Sequence, residues 1–221
     1  MFIESLQEDP QWYLMVVATV VISIVLHELA HGWTAIWQGD RTPTNLGRMT
    51  GNPLIHMGPF ALFALFLFGI AWGQMPIDSS RFRSRNGEAW VAGAGPAMNL
   101  LLAFIALTGL GLWWRTGMVE DVTFQRNLAR LLFIFGSTNL LLCVFNLMPV
   151  PPLDGSHILA NFHRGYAMFI NDPSKQGMFI LLFAGVFMFS GMLLVPLYGV
   201  AADYVNLLAG DTALWDFVFT A

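Results

Sequence analysis

The chain has 221 residues, of which 56% are hydrophobic and only 11% charged, with a formal net charge of −4. The charged fraction is far below the roughly 25% usual in soluble domains, and the charge balance gives no support for a nucleic-acid partner. Apolar runs recur at Tyr13–Leu26, Pro59–Trp72, Ala89–Leu112, Leu131–Leu147 and Met178–Leu197. A hydrocarbon layer about 30 Å thick needs about 20 such residues in a helix. The expectation is an all-α polytopic membrane protein with about four to six transmembrane helices, organised as a single membrane-embedded core over residues 1–221.

The first ten residues carry Glu4, Glu8 and Asp9 and no Lys or Arg. That is the wrong charge for the start of a cleavable signal peptide. The first run ends in "SIVLHELAHGW", Ser23–Trp33. Ionisable groups inside a span are costly and mark function. Residues four apart share a helix face, so His27 and His31 can hold one metal between them. Zinc suits imidazole ligands and, where catalytic, keeps one of four positions for water. Glu28 is then the candidate general base.

A third protein ligand is needed. Asn146–Gly155 reads "NLMPVPPLDG", and its three prolines must end the preceding helix. Asp154 is the candidate. Taken alone it reads as the N-cap of a helix over Ser156–Phe169, and only the pairing with HExxH favours the ligand. His157 reads as a capping or supporting group, His56 as a loop hydrogen-bonder, and Glu88 as a helix-start charge. Cys143, the single cysteine, lies in an apolar run and reads as a small buried hydrophobe. Asp203–Ala221 mixes aspartates with Leu, Trp and Phe and is expected to be able to lie along the interface.

HExxH on an apolar helix, followed more than a hundred residues later by N-x-x-P…D-G, resembles the site-2 protease family of intramembrane zinc metalloproteases. "GRMTGNPLIHMGP" (Gly47–Pro59) and "GAGPAMN" (Gly93–Asn99) resemble further motifs of that family's small core form. No stretch resembles a PDZ or CBS domain. The resemblance implies one Zn2+ held by His27, His31 and Asp154, with Glu28 as the catalytic acid/base. It also implies that Asn99 and Asn146 help to position substrate. Interhelical hydrogen bonding is the ordinary alternative for those two asparagines. The chain departs from many relatives in having Gln74 near a position where they carry lysine.

His31 lies near the far end of its span and Asp154 just past the end of its own, so the two helices must run in the same direction. That requires Pro59–Trp72 to dip and return as a re-entrant loop. Such a loop puts Arg41, Arg48, Arg81, Arg83, Arg85, Arg164 and Lys175 on the active-site side, against Arg115, Arg126 and Arg130 on the other. The bias makes the active-site side cytosolic and the cell membrane the expected location. The implied reaction is hydrolysis of a peptide bond in or near a transmembrane segment of a membrane-protein substrate, in contact with the lipid bilayer. The alternatives are a transporter or an inactive relative that binds without cleaving. A transporter would be expected to show inverted repeats, and none is visible. An inactive relative would lose Glu28 or a ligand. A lipid or prenyl-protein hydrolase would share HExxH but not the N-x-x-P…L-D-G context.

Overall fold

The computed structural model describes residues 2–116 and 122–210. Its long elements are α1 (Pro10–Gln38), α2 (Gly58–Phe68), α3 (Gly87–Thr116), α4 (Val122–Asn146), α5 (Asp154–Phe162), α6 (Arg164–Ile170), α7 (Gln176–Phe189) and α8 (Gly191–Ala209). Among the described residues there is no strand. Four helices, α1, α3, α4 and α8, are long and apolar enough to cross a membrane.

Each boundary has a local cause. Pro10 opens α1, the Asp9 side chain caps it by accepting from the Trp12 N–H at 3.0 Å, and Gly39 closes it in the left-handed region (φ 108°). The tryptophans mark two levels. Trp33, Trp37 and Trp90 are exposed at the end of α1 and the start of α3, while Trp12, Trp113 and Trp114 lie at the opposite helix ends. Trp12 to Trp33 spans about 31 Å of helix and Trp90 to Trp113 about 34 Å, close to the hydrocarbon thickness.

Contacts along the helices fix their directions. Asp9 pairs with Arg130 at 2.8 Å, Asn139 donates to Ser23 at 2.8 Å, and Asp154 faces His27 at 3.1 Å. Rising numbers meet rising numbers, so α1 and α4 are parallel. Helix α3 runs against them, since His31 meets Val91 and His27 meets Asn99. The core between α3, α4 and α8 is built from Leu107, Leu110, Ala129, Phe133, Ala201 and Val205.

Helix α2 has 11 residues, about 16 Å, too short to cross. It packs through Ala61 and Leu65 on Tyr13, Val17 and Ile24 of α1. The Tyr13 hydroxyl, at the far end of α1, donates to the Phe66 carbonyl at 2.8 Å. Gly69 then reverses the chain (φ 72°). Residues 70–78 return extended. Gly73 passes Ile24 and Glu28, and the Asp78 N–H reaches Asp40, just past the end of α1, at 2.8 Å. The segment therefore dips and returns, as the direction argument requires.

Three expectations are refined. The helix expected over Ser156–Phe169 starts at Asp154 and is broken at His163, whose ring accepts from the Tyr166 N–H and begins α6. The apolar run Met178–Leu197 is divided at Ser190 into α7 and α8. Residues 203–209 of the expected interfacial tail form the last turns of α8, and 211–221 lie outside the described residues.

Gly111 separates α3 from α8: a Cβ there would lie 2.7 Å from Leu208 Cβ, whereas a Cβ at Gly109 meets nothing within 4 Å. Gly111→Ala should destabilise the protein by about 1–3 kcal/mol through overpacking. Gly109→Ala should be neutral or stabilising by up to about 1 kcal/mol. Thermal unfolding in detergent reads both.

Candidate metal centre

Four ionisable side chains meet about two to three turns before the end of α1. His27, Glu28 and His31 are buried at 8%, 7% and 6% exposure. His27 Nε2 and His31 Nε2 lie 3.0 Å apart. Asp154 Oδ2 is 3.1 Å from the first and Oδ1 is 3.4 Å from the second. Zinc–nitrogen bonds of about 2.0–2.1 Å at tetrahedral angles put neighbouring donor atoms about 3.3 Å apart, so the three donors are spaced for one ion.

Two further observations fit a cation. Asp154 Oδ2 is buried without a hydrogen-bond partner, despite its nearness to His27. Gly95 of α3 is placed so that a Cβ would come within 2.5 Å of both imidazole Nε2 atoms. Glycine there leaves open the space where the donor atoms converge. An ionised carboxylate is the ligand form.

The chain after α4 delivers Asp154. Gly155 lies so close to the Leu147 and Met148 carbonyls that any Cβ would collide with them. The Ser156 hydroxyl donates to the Leu153 carbonyl at 2.7 Å. Asp154 is the first residue of α5, one past its N-cap Leu153, and its side chain faces the two histidines.

Glu28 faces a cavity of about 900 Å³ lined by Ile24, Trp72, Gln74, Phe145, Asn146 and Phe183, among others. Among the described residues none donates a hydrogen bond to its carboxylate. Gly73 sits directly against it, since a Cβ there would lie 2.6 Å from Glu28 Oε1.

Asn146 ends α4, is half-buried on the cavity wall and donates to its own Leu142 carbonyl at 2.9 Å. Asn99 borders the same cavity, and its amide is engaged by two buried partners. It is 0% exposed, with Oδ1 2.6 Å from His27 Nδ1 and Nδ2 donating to Asn139 at 2.8 Å. His157 does not join the metal donors. It pairs with Glu88 at 3.3 Å on the cavity rim, and that carboxylate holds the imidazole above its ordinary range. His56 is buried and bonds the Thr50 carbonyl at 2.7 Å. Cys143 is buried and free. The sequence reading assigned no role to Ser23, Asn139 or Gly95. The two polar ones carried a signal, since each is a hydrogen-bonding side chain inside an apolar run.

The model of peptidase family M50 matches residues 15–192. The chain belongs to peptidase family M50. It is 32% identical over 192 residues to "Putative zinc metalloprotease YwhC" of Bacillus subtilis, covering 86% of this chain and 88% of that protein. It is 28% identical over 181 residues to "Putative zinc metalloprotease Rip2" of Mycolicibacterium smegmatis, covering 77% of this chain and 65% of Rip2. It is 31% identical over 150 residues to "Putative zinc metalloprotease sll0528" of Synechocystis, covering 67% of this chain and 31% of that protein. No solved structure gives a significant match. Membership of M50 fits the cluster of His27, His31 and Asp154 found here.

Gly95→Ala places a methyl group on the donor nitrogens. The variant should lose bound zinc while staying helical, with metal content read by elemental analysis and the fold by circular dichroism.

Proposed function

We propose that this chain is a zinc metalloprotease that cuts a peptide bond within or beside a transmembrane segment of another membrane protein. The observation that carries the reading is the depth of Glu28. It lies on a membrane-spanning helix about 8 Å before Trp33, beside three convergent metal donors, and opens on a mostly apolar cavity. A water-soluble peptidase has no need to place its base below the interface, and non-helical backbone at that depth is tolerable where it lines a cavity.

His27, His31 and Asp154 would hold the metal. Zinc bound there supplies Lewis acidity to a water and to the scissile carbonyl. Glu28 takes a proton from the attacking water as its oxygen bonds to the carbonyl carbon. It then returns that proton to the amine nitrogen as the C–N bond breaks. Among the described residues no side chain hydrogen-bonds the Glu28 carboxylate, which leaves it free for this exchange. The Asn146 amide faces the cavity and can hold the substrate backbone or the developing oxyanion.

A substrate helix must unwind before its carbonyl can be attacked. The extended segment Gly69–Pro76 offers the means. Among the described residues, Gln74 has the one N–H from 70 to 77 with a backbone acceptor, the His56 carbonyl at 3.0 Å. Pro76 has no N–H, and those of the remaining N–H groups that face the cavity can pair with an added strand. Seven of the ten basic residues lie on the side to which α1 and α4 deliver the site. That excess supports a cytosolic-facing site in the cell membrane.

The test is cleavage of model transmembrane peptides by purified protein, with and without chelator. Glu28→Gln should retain zinc and lose cleavage by about 100-fold or more. Full activity in that variant would remove Glu28 from the role. If strand pairing unwinds the substrate, N-methylation of its backbone should lower kcat/KM by about 2- to 10-fold at alternate residues only. A profile without that alternation would argue against pairing.

A further inference from the structure

Three buried amides and hydroxyls run in a line from His27 into α4. Ser23, Asn99 and Asn139 are each 0% exposed. Asn99 Oδ1 lies 2.6 Å from His27 Nδ1, and Asn99 Nδ2 donates to Asn139 Oδ1 at 2.8 Å. Asn139 Nδ2 donates to Ser23 Oγ at 2.8 Å and to the Phe135 carbonyl at 2.8 Å. Of the three, Asn99 alone also borders the cavity.

The line has a direction, and one atom sets it. The Phe135 carbonyl can only accept, so the Asn139 group facing it must be the NH2. Asn139 then turns its oxygen to Asn99. An oxygen there requires the Asn99 NH2, which turns the Asn99 oxygen to His27. That oxygen requires a proton on His27 Nδ1 and leaves the Nε2 lone pair facing His31 and Asp154. His31 reaches the same state in one step, because its Nδ1 lies 2.7 Å from the Val91 carbonyl. Each imidazole is thus referred to a backbone acceptor, one directly and the other through two amides.

We infer that Asn139 is a positioning residue for the metal site: it relays the polarity of the Phe135 carbonyl through Asn99 and so fixes the ring tautomer in which His27 can bind a cation. This rests on His27 being a metal ligand, as proposed above. Without the relay, the Asn99 amide is free to turn over and offer its NH2 to His27 Nδ1. The ring then carries its proton on Nε2, where it blocks the metal.

Two kinds of change separate relay from packing. An apolar side chain at 139 removes the relay. Asp at 139 keeps it, because the aspartate still accepts from Asn99 and, when protonated, donates to the Phe135 carbonyl. Asp at 99 makes the relay unnecessary, because a carboxylate facing His27 can only accept.

The experiment is zinc affinity of the full chain in detergent, measured by competition with a chelator, with helicity checked by circular dichroism. Asn139→Leu and Asn139→Ala should each weaken zinc by about 10–100-fold, the usual loss when a partner of a ligand histidine is removed. Either folded variant suffices. Asn139→Asp should stay within about threefold of wild type, and Asn99→Asp should restore affinity in the Asn139→Leu or Asn139→Ala background. Unchanged affinity in the apolar variants overturns the inference. So does equal loss in Asn139→Asp, or failure of the Asn99→Asp rescue, since mere packing predicts both. His27→Ala is the control for the reading beneath it: if that variant binds zinc as wild type does, His27 is no ligand, whatever Asn139 does.

Discussion

In the tautomers inferred above, two imidazole lone pairs face one another across 3.0 Å and repel, and a carboxylate beside them adds negative charge to the same small space. A cation held between the three donors relieves that repulsion. Most of the molecule can be understood as what is required to assemble these donors below the interface. The imidazoles come from one helix four residues apart. The carboxylate comes from the end of a parallel helix more than a hundred residues away. A third helix, α3, runs in the opposite direction between them in sequence, bringing a glycine against the donors and a carbonyl against one ring.

Parallel packing of α1 and α4 is therefore the central demand on the fold. The ion pair Asp9–Arg130 fastens the two at one end and the metal donors face each other at the other. Between those points the Ser23–Asn139 hydrogen bond crosses the interface inside the apolar layer. In lipid, apolar side chains do not drive helices together as they do in water, and close packing and interhelical hydrogen bonds carry more of the association. Gly111 and Gly136 serve that packing, each lying against a leucine of a neighbouring helix.

The helices, the HExxH pair and Asp154 were legible in the sequence because each rests on a local rule: length of an apolar run, a spacing of four, prolines ending a span. The dipping segment was legible for a different reason, since two helix ends had to meet on one side. The roles of Gly95, Gly73 and Asn99 were not. They depend on which helix lies against which, and at what rotation, and a single sequence carries no such information. Asn99 was noticed as polar within a span, but whether it would face a ring or a cavity is decided by the approach of α3. The breaks at His163 and Ser190 were missed for a related reason. Neither residue alone is a strong helix breaker, and the apolar pattern continues through Ser190.

The closeness of Gly73 to Glu28 has one more consequence. The extended segment is tied at Gln74 to the His56 carbonyl and at Asp78 to buried Asp40, so it cannot slide along α1. A polypeptide laid along that segment would meet the glutamate at one point only, opposite Gly73. The chain would then behave as a fixed gauge, measuring its cut from where the partner strand begins to pair and not from the identity of the residues being cut.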